Sequence, residues 1–428
     1  MKQSILSKDG VSYVVPFILI TSCFALWGFA NDITNPMVKA FSKIFRMSAT
    51  DGALVQVAFY GGYFAMAFPA AMFIRRYSYK AGVLVGLGLY ALGAFMFYPA
   101  KMTGEYYPFL IAYFILTCGL SFLETSSNPY ILSMGTEETA TRRLNLAQSF
   151  NPMGSLLGMY VAMNFIQAKL NPLDTASRAD LTPAEFEAVK EYDLSVLIGP
   201  YLAIGLVILA MFVLILFWRM PKNGDKNHSI DFVPTLRRIF AMPHYREGVI
   251  AQFFYVGVQI MCWTFIIQYG TRVLMADGMA EQAAEVASQQ YNILAMIIFC
   301  CSRFICTFLL RYVNTGRLLT VLAIVGGLLV VGVIGLQNIY GLYCLVGVSA
   351  CMSLMFPTIY GIALTGLGDD AKFGAAGLIM AILGGSVLPP FQAAIIDQGE
   401  LLGMPAVNVS FILPFVCFVV IAIYGHRT

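Results

Sequence analysis

Charge is what this sequence has least of. Of its 428 residues only 11% are Asp, Glu, Lys or Arg, where a water-soluble chain of this length carries about 25%. Hydrophobic residues make up 59%, so lipid is the solvent. A chain in lipid satisfies its backbone amides within each crossing segment, which makes this an all-α integral membrane protein. Net charge is only +3, and a nucleic-acid partner gets no electrostatic footing from that. Histidine is scarce too. His228, His244 and His426 fall in segments that read as cytoplasmic, so a proton relay inside the membrane has to use carboxylates. The chain has no Gly-x-x-x-x-Gly-Lys-Ser/Thr, no Gly-x-Ser-x-Gly and no His-Glu-x-x-His, which argues against an ATP-driven pump and against an intramembrane hydrolase. The nine cysteines lie in apolar runs without metal-ligand spacing, and no cofactor is expected.

What is there is apolar runs. They fall at 13–38, 53–74, 82–99, 108–134, 145–167, 193–218, 248–270, 290–311, 317–336, 340–365, 373–396 and 405–425, and a bilayer crossing takes roughly 20 residues. Twelve spans are expected. The first is no cleavable signal peptide: it is too long, carries Asn31, Asp32 and Asn35, and lacks a small-residue cleavage site. Basic residues gather at Arg75, Arg76, Lys80, Arg142 and Arg143 and between 219 and 246, which puts both termini on the cytoplasmic side. The long outer loop, Asn171 to Asp193, is acidic, and Thr182-Pro183-Ala184-Glu185 reads as a capping box that starts a short surface helix. In the basic inner loop, Ile230–Phe240 reads as an amphipathic helix on the membrane surface.

The two halves echo each other. Trp27 answers Trp263, Arg76-Tyr77 answers Arg311-Tyr312, and Pro129 answers Pro357, with offsets between 228 and 236. We therefore divide the chain into a six-helix half at 1–219, a linker at 220–247 and a second six-helix half at 248–428. Pseudo-symmetric halves of this kind bind substrate near the midplane.

Three ionisable side chains lie clearly inside spans: Asp32, Glu124 and Arg303. A carboxylate as deep as Glu124 costs about 2.5–3.5 kcal/mol on insertion scales, and it persists when it is paired, faces water or carries a proton. Asn128 lies one turn on, so both side chains share one helix face. Arg303 stands eight residues before Arg311, roughly 12 Å from the inner face at 1.5 Å per residue. It reads as a counter-charge or sugar donor, or else as a pin between helices. A polar stripe surrounds these charges: Asn31 and Asn35 beside Asp32, then Asn145, Gln148 and Asn151 every three residues, then Gln259 near Trp263. Amides with aromatic rings suit a sugar, whose hydroxyls donate and accept while its C–H face packs on rings.

Several stretches resemble one branch of a known family. They are Leu26-Trp27 with Ala30-Asn31, Gln56-x-Ala58-Phe59-Tyr60-x-Gly62-Tyr63-Phe64, Leu123-Glu124-Thr125 with Asn128-Pro129, and Arg143-Leu144-Asn145-Leu146-Ala147-Gln148 with Phe150-Asn151. In the second half they are Ala251-Gln252-Phe253, Cys262-Trp263, Arg303-Phe304 and Pro357-Thr358-Ile359. The chain is similar to the fucose–galactose–glucose symporters of the major facilitator superfamily.

The resemblance implies import of L-fucose or a related hexose, coupled to protons, by a multi-pass protein of the bacterial inner membrane acting as a monomer. It makes Glu124 the essential span-four carboxylate, Gln148 and Asn151 cavity residues, and Arg303 the span-eight arginine. Two positions depart. The branch's span-one aspartate falls on Asn35, with Asp32 one turn earlier, and a span-ten tyrosine falls on Phe356, with Tyr360 one turn on. Asp32 can take over proton coupling beside Glu124. Alternatively Asp32, Asn35 and carbonyls loosened by Pro36 form a sodium site, since hard cations favour oxygen ligands. A drug–proton antiporter of the same fold is a more distant alternative.

Overall fold

The computed structural model describes residues 6–8, 11–34, 37–47, 54–173, 177–178, 180–221, 232–401 and 403–428. Among these residues, eleven helices are long and apolar enough to cross a membrane. The helices form two compact units. The N-terminal unit comprises Gly10–Ile131 and Phe150–Ile230, and the C-terminal unit comprises Met1–Asp9, Leu132–Ser149 and Asp231–Thr428.

The N-terminal unit contains α1 (Val14–Thr34), α2 (Met37–Phe45), α3 (Leu54–Arg76), α4 (Tyr79–Thr103), α5 (Tyr107–Ser133), α7 (Asn151–Val161) and α8 (Pro183–Phe217). Between α5 and α7 the chain makes α6 (Ala140–Gln148), which packs in the other unit. α5 is the most deeply buried of the crossing helices, so its polar run from Glu124 to Asn128 points at protein and not at lipid.

Glycine sets how closely α1 and α7 pack. A Cβ on Gly154 would stand 1.8 Å from the Ala25 carbonyl oxygen, and one on Gly28 would stand 2.1 Å from that of Asn151. Only a residue without a side chain allows backbones so near. Near the start of α8, Arg178 and Asp193 form a fully buried ion pair at 2.6 Å, and the Asn171 amide donates to the second carboxylate oxygen at 2.7 Å. The capping box forms, with Thr182 and Glu185 each accepting from the other's backbone N–H. It does not start a separate surface helix, however. Nothing between Glu185 and Asp193 breaks the helix, so α8 runs unbroken from the loop through the membrane for 35 residues.

The C-terminal unit adds α9 (Phe232–Ala241), α10 (Pro243–Ala276), α11 (Glu281–Leu309), α12 (Thr315–Gly335), α13 (Ile339–Met352), α14 (Met355–Leu364), α15 (Ala371–Met380), α16 (Gly384–Ile396), α17 (Ala406–Val409) and α18 (Ile412–Arg427). Here Gly384 meets the Phe253 carbonyl oxygen as Gly154 meets that of Ala25, with a Cβ only 2.0 Å away. The two contacts are separated in sequence by the same interval as the repeated motifs, so the duplication extends to the packing. α9 is tied down by Arg238, which reaches Asp370 at 2.6 Å.

The expected fifth span is not among the eleven long apolar helices. It breaks at Ser149-Phe150 into α6 and α7, and Ala162–Ile166 then widens into a π-turn. Pro152 lacks the N–H that would bond the Gln148 carbonyl, so the ladder ends there. The tenth span breaks likewise at Ser353-Leu354, four residues before Pro357.

Candidate functional site

Two polar centres form, each within its own unit. In the N-terminal unit Glu124 lies in α5 and is 5% exposed. The Tyr63 hydroxyl of α3 donates to Glu124 Oε1 at 2.9 Å. No ion pair involves Glu124 among the described residues, so its partner is neutral. Asn128 Nδ2 donates to the Glu124 main-chain oxygen at 3.0 Å; it shares the face as expected but spends that donor on its own helix. Tyr60, one turn before Tyr63 on α3, lies near Asp32 of α1. Asp32 and Asn31 are both half-buried. The two candidate coupling acids thus lie near tyrosines one turn apart on one helix. Asn35 and Pro36, the other parts of the suggested sodium site, lie outside the described residues.

Asn151 is half-buried, and its Nδ2 donates to the Phe24 carbonyl of α1 at 3.1 Å. Beside it, Ser155 Oγ donates to the Gly28 carbonyl at 3.3 Å. The every-third-residue stripe therefore splits at the break: Asn151 stays with α1, while Asn145 and Gln148 join the C-terminal unit.

In that unit Arg303 is 3% exposed. Its Nε donates to the Ser353 carbonyl at 2.5 Å and its Nη1 to the Gln148 carbonyl at 2.9 Å. The guanidinium also lies over the Phe299 ring, 4.6 Å from its centroid. Hydrogen bonds from a charged donor contribute about 1.5–3 kcal/mol each. Around it, Asn145 Nδ2 donates to Thr358 Oγ1 at 3.2 Å, and the hydroxyls of Ser149 and Thr307 lie 3.5 Å apart. Within α6, Arg143 reaches back to the end of α5, donating to the Leu132 carbonyl at 2.6 Å and to Thr139 Oγ1 at 3.0 Å.

Trp263 packs edge-on against Phe299 at 4.9 Å and donates its indole N–H to Ser349 Oγ at 3.2 Å. Gln259 is half-buried on the same helix. Tyr360 is buried and stacks on Phe356 at 6.1 Å, and Phe356 meets Tyr255 at the same distance.

Three residues escaped the reading of the sequence. Tyr63 lay within a quoted motif but gave no sign that it would meet Glu124. Gln252 is fully buried in α10, and neither its amide oxygen nor its nitrogen has a hydrogen-bond partner among the described residues. The Tyr255 side chain, less than one turn on, is fully buried as well, beside Arg303. Buried amides normally find partners, so a glutamine with neither atom satisfied marks a place for water or ligand.

A family model for the Major Facilitator Superfamily matches residues 20–389. The chain is 52% identical to the L-fucose-proton symporter of Haemophilus influenzae, over 100% of this chain and 99% of that one. It is 32% identical to the L-fucose-proton symporter of Escherichia coli K12, over 97% of this chain and 93% of that one. Its fold resembles the crystal structure of the transporter FucP in the outward conformation, with a TM-score of 0.87 and 32% identity over 97% of this chain and 99% of that one. Relatives so similar along nearly their whole length leave one conclusion: the chain belongs to the Major Facilitator Superfamily.

Proposed function

We propose that this chain imports L-fucose or a closely related hexose together with a proton, as a multi-pass protein of the bacterial inner membrane. The observation that carries the reading is Glu124: a buried carboxyl in a membrane-crossing helix whose partner is a tyrosine hydroxyl. Such a group can take up and release a proton without breaking an ion pair. The 52% identity to a curated L-fucose-proton symporter supports both the sugar and the ion.

In this reading the protein works by alternating access of two six-helix halves, 1–219 and 248–428, joined by a cytoplasmic linker, with both termini inside and one copy of the chain sufficing. Asp32 is the second coupling carboxyl. Asn31, Asn35, Asn128, Gln148, Asn151 and Gln259 offer amides to sugar hydroxyls, and Trp263 and Tyr360 offer rings. Arg303 has two donors already engaged by carbonyls, so a sugar would meet its Nη2. Gln252 joins this set because its amide atoms lack partners. A thermal-shift screen of the purified protein against a panel of hexoses and 6-deoxyhexoses tests the substrate. Stabilisation by L-fucose at lower concentration than by glucose or galactose is expected; no response to any sugar would overturn the reading.

A further inference from the structure

Arg303 donates to two main-chain carbonyls, those of Gln148 and Ser353, whose helical i+4 positions are occupied by prolines. In an unbroken helix the Gln148 carbonyl would accept from residue 152 and the Ser353 carbonyl from residue 357. Both of those residues are prolines. One guanidinium answers both, through Nη1 to Gln148 and Nε to Ser353. Membrane proteins usually re-satisfy such carbonyls with local hydroxyls or water. Here a single side chain, buried against Phe299, does it for two helices.

The two carbonyls belong to differently connected pieces of chain. Ser353 ends the first part of the broken tenth span. Gln148 ends α6, a segment that the chain enters from the N-terminal unit at Ile131 and leaves for the same unit at Phe150. Yet α6 packs on α11 and α14, where Asn145 meets Thr358, Ser149 meets Thr307, and Gly361 is closed over by Thr141. Connectivity ties α6 to one half and contact ties it to the other, so it must change neighbours if the halves move.

We infer that Arg303 is the latch of a gate, seated on the Gln148 and Ser353 carbonyls while α6 lies on α11 and α14, and withdrawn in the step of the cycle that moves α6 away. The inference rests on the transporter reading for its role in a cycle, but the contact itself can be tested without transport. Each proline keeps a carbonyl available by removing the amide that would compete for it. A lysine, as a point charge, cannot serve both carbonyls as the guanidinium fork does.

The test is the rate at which cysteines at Ser149 and Thr307 cross-link in a background cleared of the nine native cysteines, read beside sugar binding by thermal shift. Arg303→Ala is expected to slow cross-linking about tenfold, the equivalent of roughly 1.4 kcal/mol. Arg303→Lys should fall between the two. Pro152→Ala leaves the arginine untouched but supplies an amide for Gln148, so it too should slow cross-linking, and it keeps the test alive if Arg303→Ala fails to fold. Equal cross-linking rates in parent, Arg303→Lys and Pro152→Ala would overturn the latch. So would unchanged cross-linking in Arg303→Ala, whatever that variant does to sugar binding.

Discussion

Tyr63 and Glu124 meet across two membrane-crossing helices at 2.9 Å, the tyrosine hydroxyl donating to the carboxyl. Neither residue has a cation beside it in an ion pair among the described residues. The charge on Glu124 is therefore set by its proton and by one neutral donor.

Glu124→Gln should abolish uphill accumulation while sugar counterflow continues, because the amide mimics the protonated carboxyl and cannot cycle. Tyr63→Phe removes only the donor and should lower the accumulation ratio several-fold, less than Glu124→Gln does, since one hydrogen bond contributes about 0.5–1.5 kcal/mol when both groups are neutral. Both follow from parallel counterflow and accumulation assays at matched expression. Near-normal accumulation by Glu124→Gln would remove it from the coupling role.

The contact between α1 and α7 predicts a contrast between two glycines. Gly154→Ala places a methyl 1.8 Å from the Ala25 carbonyl oxygen, so the helices must part and the melting temperature should fall by several degrees or the protein fail to express. Gly199→Ala meets nothing within 4 Å and should be neutral or stabilising, since alanine favours a helix over glycine by up to about 1 kcal/mol. Equal melting temperatures for the two variants would mean the backbones do not touch.

Gln252→Leu separates a ligand contact from a mere misfit. An amide that is buried, unpartnered and without a ligand costs stability, so leucine should raise the melting temperature of the sugar-free protein. If the amide serves the sugar, affinity should fall at the same time by tenfold or more. A stabilised protein with unchanged affinity would take Gln252 out of the sugar site.

The crossing helices were legible because apolar runs need no knowledge of neighbours. Glu124 was legible for the same reason, as a lone carboxyl in such a run. The break in the fifth span was not, although Pro152 was in plain view. An apolar count does not register a missing N–H, and the carbonyl it frees acquires meaning only once Arg303 is seen to take it. Asn145, Gln148 and Asn151 looked like one stripe, but the break turns Asn151 toward Phe24 and sends the other two into a different unit. Tyr63 was hidden among the aromatics of its helix, where nothing local distinguishes a donor to a distant carboxyl from a packing ring. Thr182 and Glu185 were read correctly as a cap, yet the length of the helix they start depended on the absence of any stop before Asp193.

The most direct test of the account is uptake into proteoliposomes driven by a pH gradient alone and then by a sodium gradient alone, at matched membrane potential. The account predicts accumulation of L-fucose with the pH gradient and none with sodium. It also predicts that Asp32→Asn abolishes or strongly reduces that accumulation. Accumulation that requires sodium and ignores the pH gradient would contradict it and move the coupling site to Asp32 and the residues around it.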